Sequence, residues 1–409
     1  MRKLLLIHWS LLPLLLLITS CSDDDSDSLN DNNQYGSLGL KSAYSINRLQ
    51  VLDIILNPDA YPESTFEWVI QGKTTQEDSL FVSGRNLSFA SLYPGTYSAS
   101  LNIKNGTTLI RKEQTYITVI KETYPYSAYI AKVYDYLPAV GQFTNDLPLW
   151  SSGDSRETMI AKANQSLVGA NPSMISLGGY GGYVVFGFDH TVINIEGKRD
   201  FKILGNAFWN QAFPGERAGS IEPGIILVSY DKNKNGVPDD EWYEIAGSEY
   251  NKNSTIKGYE ITYEKPDPSK AAVPGTEEWL TDIEYIKWKD NQGNSGYKSK
   301  TSFHSQSYYP EWISSATLTF TGTRLENNFT LQNGTWVGKS YEYGYADNAP
   351  NNDEASNIDI DWAVDKNGNK VKLPGIDFVK VYTGVNQEAG AIGEVSTEVA
   401  GAYDLHLLN

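Results

Sequence analysis

A period of two, recurring in short apolar runs between turns rich in glycine and proline, limits the folds open to this chain more than any other feature. After Pro94-Gly95, the residues Tyr97, Ala99, Leu101 and Ile103 alternate with polar neighbours. That spacing puts one face of an extended strand in a core and leaves the other in water. Phe66–Ile70, Leu87–Phe89 and Tyr116–Val119 read as further strands of the same unit. Tyr183–Phe188, Phe201–Trp209, Gly224–Tyr230, Ala316–Phe320 and Ile376–Tyr382 form a second series. One helix is expected over Ser155–Leu167, with Met159, Ile160, Ala163 and Leu167 on one face and Asp154 or Ser155 as its cap. With 27 Tyr, 35 Gly and only 3 Met, the composition favours sheets over helix bundles. No repeat of fixed period suggests a solenoid or propeller. The expectation is an all-β chain: an immunoglobulin-like sandwich over 36–120, then a larger two-sheet jelly roll with long loops over 121–409.

The N-terminus has a charged start, Arg2-Lys3, and an apolar run from Leu4 to Ile18 interrupted by His8, Trp9 and Ser10. It is too short for a confident span and reads as a leader over 1–20. It ends in Ile18-Thr19-Ser20-Cys21, which resembles a bacterial lipobox. The resemblance implies cleavage before Cys21 and acylation of its thiol; a plain secretory leader is the alternative. Two or three acyl chains would anchor stably, at roughly 0.8 kcal/mol per buried methylene. Residues 21–35 form an acidic, polar tether. Its run Ser22-Asp23-Asp24-Asp25 resembles the surface-export signal of Bacteroidetes lipoproteins, which implies the outer leaflet of the outer membrane. A periplasm-facing linker is the other reading.

The formal net charge is −17, and losing Arg2 and Lys3 with a leader would make it more negative. Such a chain is repelled by nucleic acid and by anionic lipid, so no nucleic-acid partner is expected. Cys21 is the single cysteine, which excludes disulfides and cysteine-based zinc sites.

The Trp68 strand and the Pro94-Gly95-Thr96-Tyr97 hairpin resemble the PKD family, implying a spacer module with Trp68 in its core. Other stretches resemble a family of bacterial cell-surface proteins: Pro138–Phe143, Gly178-Gly179-Tyr180-Gly181-Gly182-Tyr183, Phe188-Asp189-His190, Asp200–Phe208, Glu222-Pro223-Gly224, Asp239–Ser248 and Asp377–Gly384. Members look like lectin-type jelly rolls, and some accompany outer-membrane systems that import corrinoids.

The sharpest chemical signal is Asp231-Lys232-Asn233-Lys234-Asn235-Gly236-Val237-Pro238-Asp239-Asp240-Glu241. Oxygen donors stand at positions 1, 3 and 5, and Gly236 permits the sharp turn at 6. Calcium takes six to eight hard oxygens, so Asp231, Asn233, Asn235, the Val237 carbonyl, and Asp239 or Asp240 are candidate Ca2+ ligands. Position 12 is Trp242 where an EF-hand has Glu, and the flanks are strand-like. A solvated Asn/Gly turn is the alternative. Asp365–Lys370 is shorter and reads as a hairpin turn. Asp347, Asp359 and Asp361 could cluster if the fold allowed it.

No nucleophile elbow or phosphate loop is present, and His190, His304 and His406 lack metal spacing. A glycosidase needs a carboxylate pair, and no context picks one out. Aromatic residues in polar loops suit the face of a sugar or corrinoid: Trp209, Trp279, Tyr308, Tyr309, Trp312 and Tyr345 are the candidate ligand-binding residues, with Phe213, Trp288 and Tyr343 in similar settings. The expected function is a non-catalytic surface lipoprotein that binds a small molecule or glycan, corrinoid first. It would pass the ligand to a TonB-dependent outer-membrane transporter. A lectin-like glycan binder, a jelly-roll glycoside hydrolase or lyase, and an adhesion protein are the alternatives.

Overall fold

The computed structural model describes residues 35–71, 78–213 and 215–408. Cys21, the leader and nearly all of the tether lie outside the described residues. The chain is all-β. Among the described residues no helix is long and apolar enough to cross a membrane.

The first unit is a sandwich of two sheets. One has the strand order Ala43–Asn47, Thr108–Ile120, Gly95–Asn105, Thr65–Gln71, with its first pair parallel. The other has the order Leu52–Ile54, Asn86–Ser91, Asp78–Ser83. Tyr97, Ala99, Leu101 and Ile103 are at most 1% exposed and pack on Ile54, Leu87 and Phe89 of the facing sheet. Trp68 is buried in the same core, and its indole N–H donates to the Arg85 carbonyl at 3.0 Å. That satisfies its one polar group, so Trp68 is a packing residue.

The second unit is organised by a six-stranded antiparallel sheet. Its order is Ala363–Val364, Trp242–Ile245, Gly224–Ser229, Gly375–Thr383, Tyr183–Ile193, Lys132–Leu137. Its central strands are apolar almost without interruption because both faces are covered. Ile226, Val228, Val379 and Val381 face a core closed by the helix Arg156–Leu167 and by Phe201, Ile203 and Ile358 of a small sheet. Ser155 caps that helix by accepting from Thr158 N–H, and Met159, Ala163 and Leu167 are its buried stripe. On the other face, Ile225 and Tyr382 meet a second sheet, ordered Ser295–Thr301, Leu280–Asp290, Ile256–Glu264, Thr317–Arg324. The expected two-sheet arrangement thus gains a third layer. The alternation of Ile225, Ile226, Leu227 and Val228 between two cores is the physical reason.

The glycine-rich stretch 178–183 is dictated by close backbone approach. A Cβ at Gly182 would lie 1.8 Å from the Leu177 carbonyl oxygen and 2.2 Å from the Ala139 nitrogen. No side chain fits there.

The two units share a small apolar cluster, in which Leu49, Val51, Ala90 and Leu92 of the first meet Ile193 and Ile195 of the second. Thr191 N–H donates to the Leu49 carbonyl, and Lys234 Nζ donates to the Val51 carbonyl at 2.9 Å.

Candidate functional site

A groove of about 800 Å³ opens where the second sheet stops short of covering the six-stranded sheet. Its floor is a row of cross-strand partners: Val364 opposite Glu244, Glu244 opposite Leu227, and Leu227 opposite Lys380. Paired residues in a sheet point to the same side, so Glu244 and Lys380 share one face about 10 Å apart, two strand spacings. Trp242 and Tyr382 join that face by the period of two. Thr321 and Thr323, on the edge strand Thr317–Arg324, form one wall. The segment from Tyr250 to Lys257 and the turn Asp365–Gly368 form the others. Its volume lies within the range of roughly 300–1,000 Å³ usual for small-molecule sites.

The groove's charges are held in unusual ways. Thr323 Oγ1 donates to Glu244 Oε2 at 2.6 Å, and Lys257 Nζ lies 3.5 Å from Glu244 Oε1. Burial raises the Glu244 carboxyl above its ordinary pKa, against the pull of Lys257. Lys257 Nζ also stands 2.9 Å from the Tyr250 ring centroid, and Lys380 Nζ stands 4.1 Å from that of Tyr183. Burial pushes both ammonium groups down. The Asp365 carboxylate is consumed within its own turn, accepting from Asn367 N, Asn369 N and Asn369 Nδ2 at 2.8–3.1 Å.

The acidic loop folds as an exposed, tightly bonded turn. Asp231 accepts from Asn235 N at 3.1 Å and from Gly236 N at 2.8 Å, and Gly236 takes φ +72°. The Asn233 and Asn235 side-chain amides both donate to Asp239. Asp231, Asn233, Asn235 and Asp239 are therefore drawn together. Asp240 accepts instead from Lys232 N–H, and the Val237 carbonyl from Asp239 N–H at 2.8 Å. The Asn233 and Asn235 amide oxygens accept from Asn235 N and Val237 N at 3.0 and 2.7 Å, and together with the Asp231 and Asp239 carboxylates they make a set of oxygens suited to a hard cation.

A second acidic group lies in the interior. Glu222, Asp347 and Glu398 offer carboxylate oxygens within 4.8 Å of one another, and all three are buried. Asp347 accepts from Asn206 N, Ala207 N and Glu398 N, and Glu222 from Ser396 N. Burial pushes Asp347 up to about 7 and Glu398 up to about 8, and it holds Glu222 well above the usual carboxylate range. Among the described residues no Lys or Arg forms an ion pair with any of the three. Protons or a cation must neutralise them, because bare buried carboxylates are prohibitively costly.

The expected aromatic platform is not assembled. Tyr308, Tyr309 and Tyr345 are at most 2% exposed. Tyr309 OH donates to the Ser315 carbonyl, while Tyr308 OH and Tyr345 OH accept from Thr301 N and Glu249 N. These backbone partners let the phenols enter the core, closed to any ligand. Trp312 packs half-buried against the core of the second unit that the helix Arg156–Leu167 closes, beside Tyr136. Trp279 stacks on Phe303 with ring centroids 5.9 Å apart, and Trp209 lies with Arg217 5.7 Å from its ring. None of the six lines the groove. Asp359 pairs with Arg199 and Asp361 accepts from Asn194, so neither joins Asp347. The groove aromatics, Trp242 and Tyr250, stand outside the ligand set expected from the sequence. The available signal was a Trp opening a strand directly after the acidic loop.

The sequence matches no protein-family model and no curated protein.

Proposed function

We propose that this chain is a lipid-anchored binding protein of the bacterial outer-membrane surface. It holds a nutrient ligand in the groove and passes it to a TonB-dependent transporter. The observation that carries this reading is the open groove, with Trp242 and Tyr250 beside a row of polar side chains. Aromatic faces next to hydroxyl and amide groups suit pyranose rings. The corrinoid version stands on the sequence resemblance alone. The address stands on Cys21 and the acidic run after it. In this reading a structural Ca2+ fills the Asp231–Asp240 loop, beside the Lys234 contact to the first unit. Calcium titrated into chelated protein should then release or absorb heat and raise the melting temperature; neither response would remove the ion from the account.

The ligand test is gel filtration of the purified chain with cobalamin, followed by calorimetry with neutral and acidic oligosaccharides. Retained visible absorbance identifies the corrinoid version, and saccharide heat the glycan version. Trp242→Ala should weaken the bound ligand about tenfold or more, in line with the loss of a central aromatic contact. A chain that binds nothing at micromolar concentration is not a capture protein. Glu244 supports a second reading, because a carboxyl group raised by burial and placed in a groove suits the acid of a glycosidase. Reducing ends released by the wild type but not by Glu244→Gln would establish it.

A further inference from the structure

Charge divides this molecule unevenly. The whole chain carries −17, yet the groove gathers four lysines, Lys252, Lys257, Lys366 and Lys380, against two carboxyl groups, Glu244 and Asp365. Lys252 is paired with Glu249 at 2.8 Å behind the wall, while Lys366 and Lys380 stand outside any ion pair among the described residues. Neither carboxyl group presents an open negative face. Asp365 is tied into its own turn by three donors, and Glu244 sits under Thr323 and Lys257. Lys380 and Lys257 rest on tyrosine rings, which stabilise a cation without supplying a full counter-charge. Trp242 adds an apolar ring face, and Thr321 and Thr255 add hydroxyl groups at the walls.

We propose that the groove takes an acidic saccharide, a pyranose unit carrying carboxylate or sulfate. Lys257 and Lys380 meet its anionic groups, and Trp242 lies against a ring. This inference rests on the groove being the ligand site and names the class of ligand it accepts. The physical case is complementarity on a repelling background. An anion is turned away by the rest of this acidic surface, so the groove is where the local field favours it. The two ammonium groups are already partly stripped of water, so an anion arriving there pays less desolvation than at an exposed lysine. A neutral sugar would leave Lys380 outside any ion pair among the described residues, and Lys257 with only its 3.5 Å contact to Glu244. The floor row sets the reach, with the backbones of Lys380 and Glu244 two strand spacings, roughly 10 Å, apart. That span suits charges on neighbouring sugar units.

The test is calorimetry on the full mature chain with three probes: trigalacturonate, a chondroitin sulfate disaccharide, and maltotriose as the neutral control. Binding of an acidic probe at least about tenfold tighter than maltotriose is expected, weakening about tenfold when salt is raised from roughly 50 to 500 mM. Carboxylate and sulfate are separated by which probe binds. The paired variant Lys257→Gln/Lys380→Gln should lose about tenfold or more for the acidic probe. Salt dependence in the wild type provides a readout even if that variant folds poorly. Equal affinity for maltotriose, or salt-independent binding, overturns the acidic assignment. So does cobalamin binding that Trp242→Ala weakens, although that outcome keeps the groove as the ligand site. Binding of no probe and no cobalamin overturns both.

Discussion

Asp347→Ala will lower the unfolding free energy by about 3–5 kcal/mol, a large effect for one surface-remote side chain. The Asp347 carboxylate accepts three backbone N–H groups, from Asn206, Ala207 and Glu398. Alanine leaves those donors buried and unmet, at roughly 1–3 kcal/mol each, partly offset by relief of the repulsion with Glu222 and Glu398. The site cannot relax easily, because Gly205 approaches so closely that a Cβ there would lie 2.2 Å from Asp347 Oδ1. Denaturant unfolding monitored by tryptophan fluorescence measures the loss; a change below about 1 kcal/mol would show the cluster to be slack. The pH dependence has a definite sign. Asp347 and Glu398 are raised in the folded state, to about 7 and about 8. Their contribution is fully present below the unfolded carboxyl pKa and is lost as pH rises through those folded values. Chelated protein should therefore melt at lower temperature at pH 8.5 than at pH 5.

The strands were legible because their pattern is local. Alternation at Tyr97, Ala99, Leu101 and Ile103 needs only the pleat to be read, and Ser155 with the stripe Met159, Ala163 and Leu167 needs only the helical turn. Exposure of the tyrosines was not legible. A tyrosine in a polar loop can face water or can bury its ring if a backbone group meets its hydroxyl. Thr301 N and Ser315 O lie only seven and six residues from Tyr308 and Tyr309, but the path of the loop decides whether they meet the hydroxyls, and Glu249 N lies 96 residues from Tyr345. The acidic cluster was hidden for a similar reason: Glu222, Asp347 and Glu398 come from three separated stretches, and Asp347 looked closer kin to Asp359 and Asp361. The groove draws Glu244, Thr323, Asp365 and Lys380 from four segments. Only the sheet register puts Glu244 and Lys380 on one face, and register is a property of pairing.

His190 is expected to act as a buried cation, and its loss should rival that of Asp347. The ring sits between two carboxylates, with Nδ1 2.8 Å from Asp189 Oδ1 and Nε2 2.8 Å from Asp404 Oδ2. Burial by itself would drive its pKa down, but the hydrogen bonds and charges of Asp189 and Asp404 outweigh it and raise the imidazole above 6.5. Tyr126 and Phe188 pack on the ring at 5.3 and 5.9 Å, and Asp377 adds a further carboxyl nearby. Removing the cation leaves Asp404 fully buried without a counter-charge, so His190→Ala should cost about 3–5 kcal/mol near neutral pH. For the wild type the contribution is fully present below 6.5, the unfolded value, and is lost as pH rises through the higher folded value. Asp200, raised by burial to about 6 beside His406, shifts stability in the same direction. His190→Ala should remove part of that slope, while a control on the second sheet such as the exposed Lys289→Ala should keep it. His190 also lines a cavity of about 340 Å³ whose far wall is Leu49, Gln50 and Val51 of the first unit. Its ionisation thus bears on the join between the two units. Hydrogen exchange at Thr191 N–H, which donates to the Leu49 carbonyl, should quicken in His190→Ala before the sheet amides do. Unchanged exchange there, with global stability lost, would confine the role of His190 to the larger unit.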